Sequence, residues 1–458
     1  MELASIHTYN HIYLIGIGGI GMSALARFFH SQGKKVSGYD LTQTKLTDSL
    51  TQMGISIHYD MDVNKIPNNI DLVVYTPAVP KEHEELLYLQ NSEVPVIKRS
   101  VALGLLSKAM DCIAVAGTHG KTSTSAILAH LMKCGKLNPT ALVGGIMKNY
   151  DTNYLEGTSN WFIAEADEYD RSFLQLFPKI TIIQSLDPDH LDIYGSHQEM
   201  IATYEKFSLQ TREGGTIILQ DGLKKMFSEA WVSELKEKNI ELVEISAAGS
   251  TYYQNIQIKN HRFYFDLQSP SGLIEDIMSA MPGEHNIMNA SAAILAALAA
   301  GLDPELVPPC MGTFEGIKRR FEWIVDTQDF IMIDDYAHHP TELKSAIDTA
   351  RKLYPDAHIT AIFQPHLYSR TSDFYREFAQ QLDRLDRVFL LPIYPAREKP
   401  MPGVSSDMIL DIMKNINGYS IDFQYISAKL RDYRPEILLT LGASDLDKYH
   451  KRIIDSLS

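Results

Sequence analysis

Along the chain, short runs of β-branched and other apolar residues alternate with stretches whose apolar residues recur every three or four positions. The first run is HIYLIGI at residues 11–17, followed by a helical pattern over 22–31. The second is DCIAVAG at 111–117, which follows a helical stretch at 100–109 and leads into the helical SAILAHLMKCG. A third set begins near FEWIVDTQDFIMIDDYAHHP, where residues 330–334 read as a strand ahead of a turn and a helix. Period-two segments set between period-3.6 segments predict α/β layers around mostly parallel sheets. Three openings of strand, special loop and helix predict three domains, 1–109, 110–319 and 320–458. A length of 458 residues agrees with that count at about 150 residues per domain.

Composition narrows the function classes. Hydrophobic residues make up 45% and charged residues 22%, ordinary usage for a globular protein. Lys and Arg number 42 against 57 Asp and Glu, a net charge of -15. That balance argues against a nucleic-acid partner, which demands clustered cations. A phosphorylated small molecule remains open, since backbone N–H groups and one or two cations suffice to hold it. Cys112, Cys134 and Cys310 are widely spaced with no CxxC pair, so neither a disulfide framework nor a zinc knuckle is expected. The start MELASIHTYN lacks a signal-peptide pattern, and the apolar stretch at 290–302 is too short to span a bilayer. A soluble cytoplasmic protein without membrane insertion is expected.

Two loops carry candidate chemistry. Residues 16–21, Gly-Ile-Gly-Gly-Ile-Gly, fit GxGxxG between a strand and a helix, and Asp40 ends the next strand, KKVSGYD. Such glycines let a backbone approach a diphosphate at a helix N-terminus, while the acid takes a ribose hydroxyl. Tight packing of strand and helix alone also uses such glycines. Residues 116–124 read AGTHGKTST after an apolar strand. This is a P-loop in mechanism: Gly117, Thr118, His119, Gly120 and Ser123 supply the cradle, Lys121 reaches β- and γ-phosphate oxygens, and Thr122 ligates Mg²⁺. Its GxxGKT spacing is shorter than GxxxxGK[ST], with Val115 where that rule asks for glycine. A dehydrogenase needs only the first loop and an ATPase switch only the second. An enzyme that joins a nucleotide-carried substrate to something else at the expense of ATP needs both.

Carboxylates complete the pattern. EADE closes the strand-like WFIAEADE, and KITIIQSL leads into DPDHLD, so Glu165 and His190 emerge at the strand ends where α/β proteins bind ligands. GTHGKT, EADE, DPDHLD, PGEHNIMNA (282–290), GIKRRFE and DDYAHHPTE occur here in the order found in the Mur ligases of peptidoglycan synthesis. The chain resembles that family over essentially its whole length. The resemblance implies a Rossmann-like N-terminal domain, a P-loop ATPase-like central domain and a Rossmann-like C-terminal domain. GIGGIGMSALA, DDYAHHP and FQPHLYSRT (363–371) point within the family to a ligase acting on UDP-N-acetylmuramate and L-alanine. The alternative is a recycling ligase that attaches a murein tripeptide to the same nucleotide sugar.

By this resemblance the first loop holds UDP rather than NAD, through Gly18, Gly19, Ile20, Gly21 and Asp40. Lys121, Thr122 and Glu165 match the phosphate-binding lysine and Mg²⁺ ligands, and His190 a histidine at a second Mg²⁺. Asn286 and Asn289 match the asparagines that read adenine, Arg320 an arginine that reaches ATP phosphate, and Asp335 an acid on the ATP ribose. Tyr336, His338 and Arg370 fall where the alanine and acceptor pocket is built. Two departures stand out: Leu367 replaces an arginine of several relatives, and Ser444 a glycine.

Overall fold

The structure, a computed structural model, describes residues 6–396, 398–414 and 417–457. Strands β1 (His11–Ile15), β2 (Lys35–Tyr39), β3 (Ser56–His58), β4 (Leu72–Tyr75) and β5 (Val96–Lys98) form a parallel sheet in the order β3-β2-β1-β4-β5. β1 is buried along its whole length, which is why it reads as a continuous apolar run rather than an alternating one. The order reverses direction at β1, and a sheet of this kind opens its ligand crevice at that switch point.

A second sheet holds β6 (Asp111–Ala116), β7 (Thr140–Met147), β8 (Thr152–Leu155), β9 (Trp161–Glu165), β10 (Ile180–Ile183), β11 (Thr216–Gln220) and β12 (Glu241–Ile245). Its order is β12-β11-β10-β6-β9-β7-β8, parallel except for the β7–β8 pair. A small sheet follows, β13 (Tyr252–Lys259), β14 (Arg262–Ser269) and β15 (Gly272–Ser279). The last sheet contains β16 (Glu322–Asp326), β17 (Ile331–Asp335), β18 (Ile359–Phe363), β19 (Arg387–Leu390), β20 (Gly418–Ser420) and β21 (Ile437–Leu441). It runs β16-β17-β21-β18-β19-β20, with only β16 antiparallel to its neighbour.

The chain divides into two compact units. The first comprises residues 1–256, 264–279 and 288–315, the second 257–263, 280–287 and 316–458. Within the first unit one apolar core runs from Ile12 and Leu14 under the first sheet to Phe162, Phe207 and Trp231 under the second. The second unit has its own core around Met332, Ile362, Phe389 and Leu438. Among the described residues no helix is long and apolar enough to cross a membrane.

One expectation is corrected. Cys134 and Cys310 are joined as a disulfide, at a Cα–Cα distance of 5.7 Å. They lie 176 residues apart, and nothing in their local spacing announces a pairing made only when two distant helices pack.

Candidate active site

The first glycine loop is held by its own acid. Asp40 accepts from the Gly18 N–H at 2.7 Å and from the Thr42 N–H at 3.1 Å. Gly19 caps the helix Ile20–Ser31, whose first turn is gripped by buried Asn153: its amide donates to the Ile20 carbonyl at 2.6 Å and to Ser23 Oγ at 3.0 Å. Gly21 faces Arg99, and a Cβ at this position would collide with the guanidinium. Arg99 in turn donates to Asp167 at 3.0 Å.

The second loop starts from the end of β6. Gly120, in the left-handed region at φ 84°, turns the chain into the helix Lys121–Cys134, a conformation that favours glycine. The loop is backed by β10: Ser185 takes N–H groups of Thr118 at 3.2 Å (carbonyl) and His119 at 2.8 Å (hydroxyl), and Asp187 N–H donates to Thr118 Oγ1. The His119 imidazole lies 3.5 Å from Asp187. Lys121 folds back to the Gly117 carbonyl at 2.6 Å and to both oxygens of Glu168, a buried carboxylate. Burial penalises both charges of this pair; the flanking carboxylates hold the Lys121 ammonium above its ordinary range.

Glu165, at the end of β9, accepts from Thr122 Oγ1 at 3.2 Å, Ser125 Oγ at 3.0 Å and the Gly144 N–H. His190 adopts φ 51°, and its ring lies 4.0 Å from Glu168 and 3.7 Å from Asp189, edge-on to Tyr169. Asn289, nearly buried in the helix Glu284–Ala299, brings its Oδ1 against Gly120. A cavity of about 220 Å³ joins the two loops: Ile20 and Gly21 line it from one side, Lys121 and Glu165 from the other, with Arg99 and Asp167 between.

The remaining sequence candidates lie in the second unit. Asn286 donates its amide to the Pro282 carbonyl at 2.8 Å, at the start of its helix. The adjacent arginines diverge. Both guanidinium groups lie over the Tyr336 ring, at 5.0 Å for Arg319 and 5.4 Å for Arg320, but Arg319 is also consumed by structure, donating to buried Asp334 at 2.9 Å and to the Gly442 carbonyl at 2.8 Å. Asp335 accepts from the Phe321 and Ala337 N–H groups, and burial pushes its carboxyl up to about 6. His338 stands 3.3 Å from Glu342, with burial lowering its pKa; Arg370 adds positive charge nearby. His366 packs edge-on to His338 and stacks on Tyr394.

Sequence reasoning missed Arg99, Asn153, His366 and Tyr394 as residues of these sites. It saw Glu168 only as one of several carboxylates in EADE. Leu367, the departure from its relatives, sits at φ 70°, a backbone position that bulky side chains avoid.

This combination of sheets and loops defines a class. The family description "Mur ligase family, catalytic domain" matches residues 11–110, "Mur ligase middle domain" residues 115–297, and "Mur ligase, glutamate ligase domain" residues 319–442. The chain belongs to the Mur ligase family. Among its relatives, the UDP-N-acetylmuramate–L-alanine ligase of Porphyromonas gingivalis is 42% identical over 447 residues, 95% of this chain and 96% of that protein. The crystal structure of UDP-N-acetylmuramate-alanine ligase from Thermotoga maritima matches with a TM-score of 0.80 at 26% identity, covering 98% of each chain. A murein peptide ligase from Psychrobacter arcticus shares the fold, with a TM-score of 0.69 at 22% identity over 98% of each chain.

Proposed function

We propose that this ligase joins L-alanine to the lactyl carboxylate of UDP-N-acetylmuramate, converting ATP to ADP and phosphate in the cytoplasm. The observation that carries the proposal is the cavity lined jointly by Gly21 and by Lys121 and Glu165, which sets an acceptor loop beside a phosphate loop. The 42% identity to a ligase of that name favours L-alanine over the murein tripeptide.

Condensing a carboxylate with an amine requires a better leaving group than oxide. The lactyl carboxylate therefore attacks the γ-phosphorus, ADP leaves, and the acyl phosphate is opened by the neutral amine of alanine, releasing phosphate. Gly18, Gly19, Ile20, Gly21 and Asp40 hold the UDP portion in the part spanning 1–109. In 110–319, residues 117–123 hold the ATP phosphates, with Lys121 placing positive charge on the transferring group. Asn286 and Asn289 serve the adenine. In 320–458, Arg320 and Asp335 serve ATP, and Tyr336, His338 and Arg370 serve the amino acid and acceptor.

Among the described residues no group of three or more His, Cys, Asp or Glu surrounds one metal position. The oxygens of Thr122 and Glu165, 3.2 Å apart, nevertheless suit a hard divalent cation completed by phosphate oxygens. We assign Mg²⁺ to Thr122 and Glu165, and a second ion to Glu165 and His190. Bound there, Mg²⁺ supplies charge that neutralises phosphate oxygens.

The test is ATP-dependent phosphate release with UDP-N-acetylmuramate and either L-alanine or the tripeptide. Release with L-alanine supports the proposal; activity only with the tripeptide, or none with both substrates present, overturns it.

A further inference from the structure

Cys134 ends the helix that begins at Lys121, and Cys310 lies in the helix Val307–Gly312. The two residues differ in access: Cys134 is exposed, whereas Cys310 is 2% exposed. The segment held by Cys310 is the last of the first unit, which ends at Glu315 just before the chain enters the second unit at Gly316.

Polar ties converge on the same short segment. The His130 ring, one turn before Cys134, donates from Nε2 to the Cys310 carbonyl at 3.0 Å and lies 3.0 Å from Thr313 Oγ1. Its Nδ1 takes the Tyr150 hydroxyl at 2.9 Å. Asn149 donates to the Thr313 carbonyl at 2.7 Å and accepts from the Glu315 N–H at 2.8 Å. The Phe314 ring lies 5.2 Å from that of His130. A covalent bond is thus added to four hydrogen-bonded contacts that hold the last segment of the first unit.

We propose that Cys134–Cys310 is a thiol–disulfide exchange site for low-molecular-weight thiols, attacked at Cys134, and that its opening loosens residues 307–315. A thiolate of the glutathione type attacks Cys134 Sγ, on the exposed residue of the pair. The Cys134–Cys310 bond breaks, and its electron pair leaves on Cys310 Sγ, which takes up a proton from solvent. A second thiolate attacks the small-molecule sulfur of the mixed disulfide, releasing the oxidised thiol dimer and the Cys134 thiolate. Two small thiols are oxidised as one protein disulfide is reduced. The reverse steps close it.

The experiment exposes the full-length folded protein to a series of glutathione to glutathione-disulfide ratios, quenches by alkylation and locates adducts by mass spectrometry. Amide hydrogen exchange is followed in the same samples. A glutathione adduct on Cys134, two newly alkylated thiols at the reducing end, and an exchange rate in residues 307–315 raised about tenfold or more support the proposal. Cys112 is the internal control: fully buried, with its thiol pushed up to about 12, it stays unlabelled until denaturant is added. Cys134→Ser should show the raised exchange at every ratio; if that variant does not fold, the reduced wild type decides. An adduct on Cys310 instead, a bond that resists glutathione until the protein unfolds, or equal exchange in the oxidised and reduced forms would overturn it. None of these readouts uses the ligase activity, so failure here is separable from failure of the proposed reaction.

Discussion

The ammonium of Lys121 stands 2.8 and 2.9 Å from the two carboxylate oxygens of Glu168, whose side chain is 3% exposed. Removing one member of such a pair strands the other in a low dielectric. Lys121→Ala is therefore expected to destabilise the protein by roughly 3 kcal/mol. Adding Glu168→Gln should recover more than half of that loss, while phosphate release stays abolished in both. Urea unfolding of the two variants and the wild type checks this; a double variant no more stable than the single one would show that the charges are not coupled.

Arg319 and Arg320 are neighbours with opposite expected phenotypes. Arg319 satisfies fully buried Asp334, so Arg319→Ala should cost about 3–5 kcal/mol of stability. Arg320→Ala should unfold at nearly the wild-type denaturant concentration and lower kcat by about 100-fold, the scale of losing one charge-stabilising donor. Paired unfolding and steady-state assays separate the two.

Gly21→Ala tests the joint cavity. Its methyl would displace the Arg99 guanidinium from between the loops and break the contact with Asp167. We expect KM for the nucleotide sugar to rise about tenfold, with stability changed by less than about 1 kcal/mol, since the arginine has solvent to move into. An unchanged KM would remove Gly21 from the acceptor site.

Asp335 gives a pH signature. Its folded carboxyl titrates near 6, above the unfolded value of about 3.9, so the native state holds the proton more tightly. Stability contributed by the protonated group is present below pH ~4 and is lost as pH rises through 6. Asp335→Asn should flatten that fall between pH 4.5 and 6.5 in denaturant melts. An identical slope in the variant would contradict the assignment.

What the chain revealed in advance was local. The loops at 16–21 and 116–124 are contiguous, and their glycines, lysine and threonine declare a backbone path and a charge in a few residues. The strands leading into them are continuous apolar runs because both faces of β1 and β6 are covered. Arg99 stands outside every motif and gains meaning only where its helix meets the first glycine loop. Glu168 shares a motif with Glu165, but only the turn after β9 decides which carboxylate meets Thr122 and which meets Lys121. The bond between Cys134 and Cys310 depends on a packing of helices far apart in sequence, which periodicity does not encode.

The apolar core that runs beneath both of the first two sheets bears on cooperativity. Two loops mounted on separate cores could melt one at a time, leaving a nucleotide-sugar site without its phosphate donor. Ile12 and Phe162 belong to one continuous core, and on that basis they are expected to unfold together. A cavity made by truncating Leu14, far from any phosphate, would therefore lower the fraction of molecules with an intact P-loop as much as the fraction with an intact first loop.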